Sequence, residues 1–448
     1  MSFFDILRML ANLIFFFVFF TDFSLISFGS GNNAFGLQFS WGMSIIFMVL
    51  YSVTWIREKK IYLTQRNNPS NMLFWGYLTL TTISQLVLRL FISQSTIWIN
   101  SSIRVIGLDK SEMLQRSIYH IIYLLFLWLS SALIANWYGN YCDKDSLLLH
   151  IKKYFITYSF VFIGIWGVYQ WLTTYDLMPY IRIFNNNPSL GFTYLRFKRA
   201  HRASSIFAEP SDYGCYLGFM MPLVVSYTFG GTNLFSINRS RLNAVILSVF
   251  YLFQVLITQS FTLFVAIPII LLISINKSDM EERRKRALRL SVFFVSFFIA
   301  TAFFMLFGDR IANILDGRDG SVVERFRVFL VGWELFKKFP IIGTGYGTFR
   351  AMDHLSGTLS YGGIIGTIMQ FVFLKRLGAF ADKERHAYIL YCGYLCYIVT
   401  GCVGNSLYEN FAFWIIPMLI VMLCNSNIED DKNVYGNNKG DLSKRENA

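Results

Sequence analysis

Apolar residues run in long blocks from one end of this 448-residue chain to the other, and polar residues gather between the blocks. A hydrocarbon core of about 30 Å takes about 20 residues of helix, and about twelve blocks approach that length. They are Phe4–Asp22, Phe39–Ile56, Met72–Ile92, Ser117–Trp137, Phe155–Thr174, Tyr213–Phe229, Leu242–Ile257, Phe261–Ile275, Leu290–Phe307, Tyr361–Leu374, Ala387–Gly401 and Leu407–Cys424. The blocks are too long and uniform for the alternating strands of a membrane barrel. Lipid offers no partner to a backbone N–H or C=O, so each block is expected to be a helix. Several are shorter than a full span, which predicts tilt or local re-entry. The pattern therefore predicts an all-α polytopic membrane protein with one transmembrane domain over residues 1–424. The polar tail, residues 425–448, is rich in Asn, Lys and Asp and is expected to be a disordered cytoplasmic extension.

Composition agrees: 54% of residues are hydrophobic and 15% charged, with a mean hydropathy of +0.46, a balance foreign to a water-soluble chain of this length. Charge then orients the helices. With the N-terminus inside, Arg57, Lys59, Lys60 and Arg66 share one cytoplasmic link, and Lys277, Arg283, Arg284, Lys285, Arg286 and Arg289 share another. Lys375, Arg376, Lys383 and Arg385 fall inside as well, whereas the short outer links Phe23–Gln38, Thr258–Ser260 and Cys402–Ser406 carry no Lys or Arg. Both termini are then cytoplasmic, and with Asp5 near its start the first block reads as an uncleaved signal-anchor. The net charge of +13, which would suggest nucleic acid in a soluble protein, is accounted for by basic links on both faces. The cysteines imply no disulfide framework, since Cys142 lies in a short inner loop and the rest lie in apolar blocks. Cys392 and Cys396 share a helix face without a His or acidic neighbour, so they read as buried small residues rather than metal ligands.

Two outer segments break the pattern of short links: Tyr175–Asp212 and Gly308–Ser360. Loops of this length are more often functional than idle, and short helices are expected in them, for instance Val322–Phe339. The first loop packs Arg196, Lys198, Arg199, His201 and Arg202 against Glu209 and Asp212, just before a membrane helix. A solvated charge run or headgroup anchor is the plain reading. An anion site at the membrane surface is the functional one, because arginine offers phosphate a fixed fork of donors. The second loop carries Glu324, Arg325 and Arg327, then Gly343-Thr-Gly345-Tyr-Gly347, then Arg350, Asp353 and His354. The glycine run looks like a phosphate-binding loop, but it falls outside the cytoplasm, where nucleotides are absent, so a tight turn re-entering the membrane is expected. Topology places His150 and His386 inside, His120 within a helix, and His201 and His354 outside, so a histidine base at the outer face is one of the last two. Glu409 sits near the outer end of the last helix, where a carboxylate is costly unless it faces a polar cavity or pairs with a loop arginine.

At these loops the chain resembles the O-antigen polymerase and O-antigen ligase superfamily, bacterial membrane glycosyltransferases of the GT-C type. Arg202-Ala-Ser-Ser-Ile-Phe-Ala-Glu-Pro-Ser-Asp-Tyr-Gly214 is similar to one signature. Arg325, Trp333, Phe339-Pro340 and Gly343-Thr-Gly345-Tyr-Gly347 are similar to a second, and His354 ahead of Gly363-Ile-Ile-Gly366 to a third. The resemblance implies polymerisation of polyprenyl-diphosphate-linked oligosaccharide units at the outer face of the inner membrane, with no cofactor or metal. It assigns Arg202 and Arg325 to the departing diphosphate, with Arg199, Arg327 and Arg350 in support and Glu409 toward substrate. His354 would accept the hydroxyl proton, with Glu209 as the alternate base. A chain-length regulator and a flippase are the partners it implies, beside membrane lipid and the carrier-linked substrate. A ligase acting on lipid A core would use the same loops; Leu355, standing where an Asn often follows that histidine, favours the polymerase. A flippase or other transporter is expected to show two repeated halves, and none is visible.

Overall fold

The computed structural model describes residues 3–28, 35–58, 68–91, 97–101, 104–108, 110–181, 183–185, 198, 201–229, 231–276, 282–283, 285–290, 320–348, 351–404 and 406–424. Helix falls on every predicted block except Leu290–Phe307, which lies outside the described residues beyond Leu290, as does the tail over 425–448. In chain order the helices are α1 (Phe3–Phe17), α2 (Phe39–Glu58), α3 (Pro69–Phe91), α4 (Lys110–Tyr141) and α5 (Lys144–Thr174). There follow α6 (Pro210–Phe229), α7 (Arg241–Thr258), α8 (Phe261–Asn276), α9 (Gly320–Lys338), α10 (His354–Ala381), α11 (Arg385–Gly404) and α12 (Phe411–Cys424). Five described segments are long and apolar enough to cross a membrane: Ser117–Tyr141, Lys144–Thr174, Arg241–Thr258, His354–Ala381 and Arg385–Gly404.

The outer surface of the helices carries the membrane signature. On α7, Leu242, Val245, Ile246, Val249, Leu252 and Leu256 are each more than half exposed, while Ala244, Leu247, Tyr251, Gln254 and Val255 are buried. A helix in water would place charges on that exposed stripe; this one is apolar on both faces, as lipid requires. α6 is buried almost without interruption from Pro210 to Tyr227, enclosed by α7, α8 and α11. α5 contains a π-helical stretch over Ile151–Tyr158.

Two departures from the all-helical expectation appear in links. Ser24–Phe28 pairs antiparallel with Phe35–Gln38, and Ile97–Ser101 with Arg104–Leu108. These short runs are rich in Ile, Val, Phe and Leu, which favours a two-stranded ribbon.

α10 is broken. Gly363 has φ +58° and ψ −153°, outside the helical region, and the chain folds back there. Sixteen residues of straight helix would span about 24 Å, yet the His354 and Gln370 side chains meet at 3.3 Å. The break is filled by the turn after α9. Thr344 and Gly345 donate their backbone N–H groups to the carbonyls of Ser360 and Tyr361, and Ile364 and Ile365 donate to those of Pro340 and Ile341. Gly343, Gly345 and Gly347 all have positive φ, and α3 and α4 clamp the same turn. Thr81 Oγ1 accepts from Tyr346 N at 3.0 Å, Gln85 Nε2 donates to Thr344 O at 3.2 Å, and Ser117 Oγ donates to Tyr346 O at 2.7 Å. The glycine run is thus a buried turn that completes a broken helix.

Candidate functional site

One end of the bundle gathers the chain's polar chemistry. The last stretch of the first long loop is pinned there by Gln170 on α5, whose Oε1 accepts from the backbone N–H of both Ser204 and Ser205 at 2.7 Å. Ser205 holds φ +54° and donates its hydroxyl to Ile163 O. Residues Ala203–Ala208 are consequently buried, and Glu209 emerges at the start of α6. Pro210 follows at the first helical position, where no N–H is needed.

Arg325, on α9, reaches this point. One terminal nitrogen donates to Glu209 Oε2 at 2.8 Å and to Ser211 Oγ at 2.9 Å; the other donates to the carbonyl of Gly404, the last residue of α11. Ser211 Oγ also donates to Glu209 Oε2 at 3.2 Å. A guanidinium on the C-terminal carbonyl of one helix and a carboxylate at the N-terminus of another satisfy both helix ends in the favourable sense. The two long loops predicted from sequence therefore meet through Arg325 from one and Glu209 and Ser211 from the other. Asp212 and Asp353 lie within electrostatic range of the same guanidinium. Asp353 caps α10, accepting from Ser356 N at 2.6 Å.

Asp212 stands in the first turn of α6, ahead of the predicted span that begins at Tyr213. Burial first, then the charge of Glu209, pushes its carboxyl up from 3.8 to about 7, against the opposing pull of Arg325. It lines a small cavity with room for about one water, shared with Thr21, Cys215, Tyr397 and Asn410. The folded chain keeps this proton up to about pH 7, whereas the unfolded chain releases it near 3.8. Between those values the folded state binds more protons, so this group's contribution makes stability fall as pH rises. Asp212→Asn is expected to remove that slope and to melt above wild type at neutral and alkaline pH. Parallel melting curves for the two proteins in detergent across a pH series would contradict this assignment.

The remaining candidates are placed unevenly. Arg202 lies half-buried at the C-terminus of α7, with Nε donating to Thr258 O at 3.5 Å, while Thr258 Oγ1 donates to Pro210 O. Thr258 thus stands between Arg202 and the start of α6. Arg327 is exposed on α9, whereas Arg199 and Arg350 lie outside the described residues. His354, expected as an outward-facing base, is 2% exposed. Its Nε2 faces Gln370 and its ring lies 4.5 Å from that of Tyr408, inside a network in which the Tyr408 hydroxyl meets those of Tyr77 and Thr358 at 2.7 Å each. Asp353 starts the helix at His354, and the break at Gly363 turns the imidazole inward.

Glu409 pairs with His120 on α4, Nδ1 to Oε1 3.1 Å. His120, Ser211 and Gly404 were not singled out by sequence. Ser211 lies inside the quoted signature, Gly404 acts through a carbonyl that leaves no mark in sequence, and a lone histidine in an apolar block looks structural. Comparison of the chain with protein-family models and with curated proteins finds no match.

Proposed function

We propose that this protein polymerises polyprenyl-diphosphate-linked oligosaccharide repeat units at the outer face of the bacterial inner membrane. The architecture in this reading is a GT-C-like bundle of about twelve spans with both termini cytoplasmic. The observation that carries it is the convergence of Arg325, from one long loop, with Glu209 and Ser211, from the other, at one end of an apolar bundle. In an inverting displacement, a sugar hydroxyl of one unit attacks the anomeric carbon of the growing chain and polyprenyl diphosphate departs. Negative charge builds on the leaving oxygens, so a guanidinium fixed in advance stabilises the transition state more than the ground state. Arg325 is held at three points and is preorganised in this sense; Arg202 is the second cation, with Arg199, Arg327 and Arg350 in support. Glu209 balances Arg325 until the diphosphate engages it. Of the two bases expected, Glu209 is therefore already occupied and His354 is buried among aromatic rings.

One feature favours a transporter, in which discontinuous helices form substrate and ion sites. Here the backbone groups freed at Gly363 are occupied by Pro340, Ile341, Thr344 and Gly345, which leaves them unavailable to a cargo ion. The test is the surface glycan of the parent bacterium after deletion of the gene. Surface lipid bearing a single repeat unit, with the ladder restored by wild type, is the expected result. Loss of all surface repeats with carrier-linked polymer retained would indicate a ligase instead, and an unchanged ladder would refute the reading.

A further inference from the structure

The acceptor hydroxyl needs a base at the same end of the bundle, and an imidazole with its tautomer already set stands there. His120 and Glu409 are 37% and 50% exposed at their side chains, in contrast to the buried His354. The contact from Nδ1 to Glu409 Oε1 places the ring proton on Nδ1, so the lone pair is on Nε2 of a part-exposed side chain. Glu409 is in turn anchored, since the Tyr123 hydroxyl donates to its backbone carbonyl at 2.6 Å. A carboxylate that orients an imidazole and fixes its tautomer is the arrangement of a general base.

The surroundings fit a sugar. Tyr123 packs on the buried Trp41 with ring centroids 4.6 Å apart, which holds its hydroxyl edge beside the dyad. Tyr346, from the glycine-rich turn, sets its ring edge-on to His120 at 5.9 Å. Its hydroxyl is buried, within electrostatic range of Glu409, and has no hydrogen-bond partner among the described residues. Gly347 packs directly on the imidazole, where an added Cβ would come within 2.6 Å of His120 Cβ. The dyad also has a fixed relation to Arg325. The carbonyl of Gly404 accepts from Arg325, and Glu409 follows five residues later, so the two positions are at most about 18 Å apart along the link.

We infer that His120, oriented by Glu409, is the general base that takes the proton from the acceptor sugar hydroxyl, while Arg325 holds the departing diphosphate. This rests on the polymerase reading above. As the acceptor oxygen bonds to the anomeric carbon, its proton passes to Nε2 of His120. The bond from that carbon to the diphosphate oxygen breaks, its electron pair leaves on the diphosphate, and the imidazolium then loses its proton to water.

The test uses the full chain in nanodiscs with carrier-linked repeat units extracted from the deletion strain, following polymer formation across a pH series. His120→Gln is expected to lower kcat by about 10²–10⁴-fold with KM little changed, and to lose the acid limb of the wild-type profile. Glu409→Gln, which keeps the size and hydrogen bonding of the side chain, covers the case in which His120→Gln does not fold. Its expected result is a smaller fall in kcat, with the acid limb displaced rather than lost. A folded His120→Gln or Glu409→Gln protein with wild-type kcat and pH profile would overturn the inference. If Arg325→Ala were inactive in that same experiment, the polymerase reading would stand without this base; if wild type made no polymer, both would fall.

Discussion

Arg325→Ala is expected to reduce polymer formation by about 10²–10³-fold, the cost of removing a preorganised donor from a developing oxyanion, while leaving the protein folded. The two halves of this expectation follow from different numbers. Arg325 and Glu209 are 26% and 51% exposed at their side chains, and an ion pair so accessible to water contributes about 0–1 kcal/mol to stability. Losing it therefore hardly moves the melting temperature. In the proposed reaction, by contrast, the departing diphosphate concentrates charge where the guanidinium is held by Ser211 and the Gly404 carbonyl. Arg325→Lys keeps the charge but not the fork that meets three acceptors, and rescue by lysine is expected to be slight. Side-by-side ladders and thermal melting of the purified variants check both halves; a strong loss of folded protein in Arg325→Ala would assign the residue to structure.

Gly363→Ala is expected to do the opposite, removing folded protein before it affects any chemistry. A Cβ at this position would lie 2.6 Å from the carbonyl carbon and oxygen of Ile341 and 2.7 Å from Gly343 N, all backbone atoms. No side-chain rotation relieves such a clash. A side chain is also strained at φ +58° and ψ −153°, at about 1–3 kcal/mol, and overpacking adds about 1–3 kcal/mol more. Gly343→Ala meets the same fate from the other side, because its Cβ would come within 2.5 Å of the Tyr361 carbonyl. Both variants are expected to be scarce in the membrane, whereas Gly139→Ala, whose Cβ would meet nothing within 4 Å, is the tolerated control. Wild-type abundance of Gly363→Ala would show that the helix break is not required.

The helices were legible because lipid imposes one demand on every residue of a span, and apolar blocks record it directly. α9 was visible as Val322–Phe339 and forms over Gly320–Lys338. The glycine turn was legible as a turn. Its pairing with the break in α10 was not, because Thr344 and Ser360 meet through backbone atoms that any sequence supplies. Arg325 and Glu209 were each named, but charge patterns do not say which cation finds which carboxylate across 116 residues. Glu409 illustrates the difficulty. A polar cavity or a loop arginine was expected beside it, and the fold also brings up His120 from α4, a residue whose apolar setting concealed it. His354 shows the converse, since its position before a helix start was visible while the direction of its side chain depended on the backbone at Gly363.

The central claim is tested most directly by counting products. Wild-type protein in nanodiscs, supplied only with carrier-linked repeat units from the deletion strain, is predicted to release one polyprenyl diphosphate for every glycosidic bond formed, and Arg325→Ala to release almost none. Polymer growth without diphosphate release, or no reaction until lipid A core is supplied, would contradict the account.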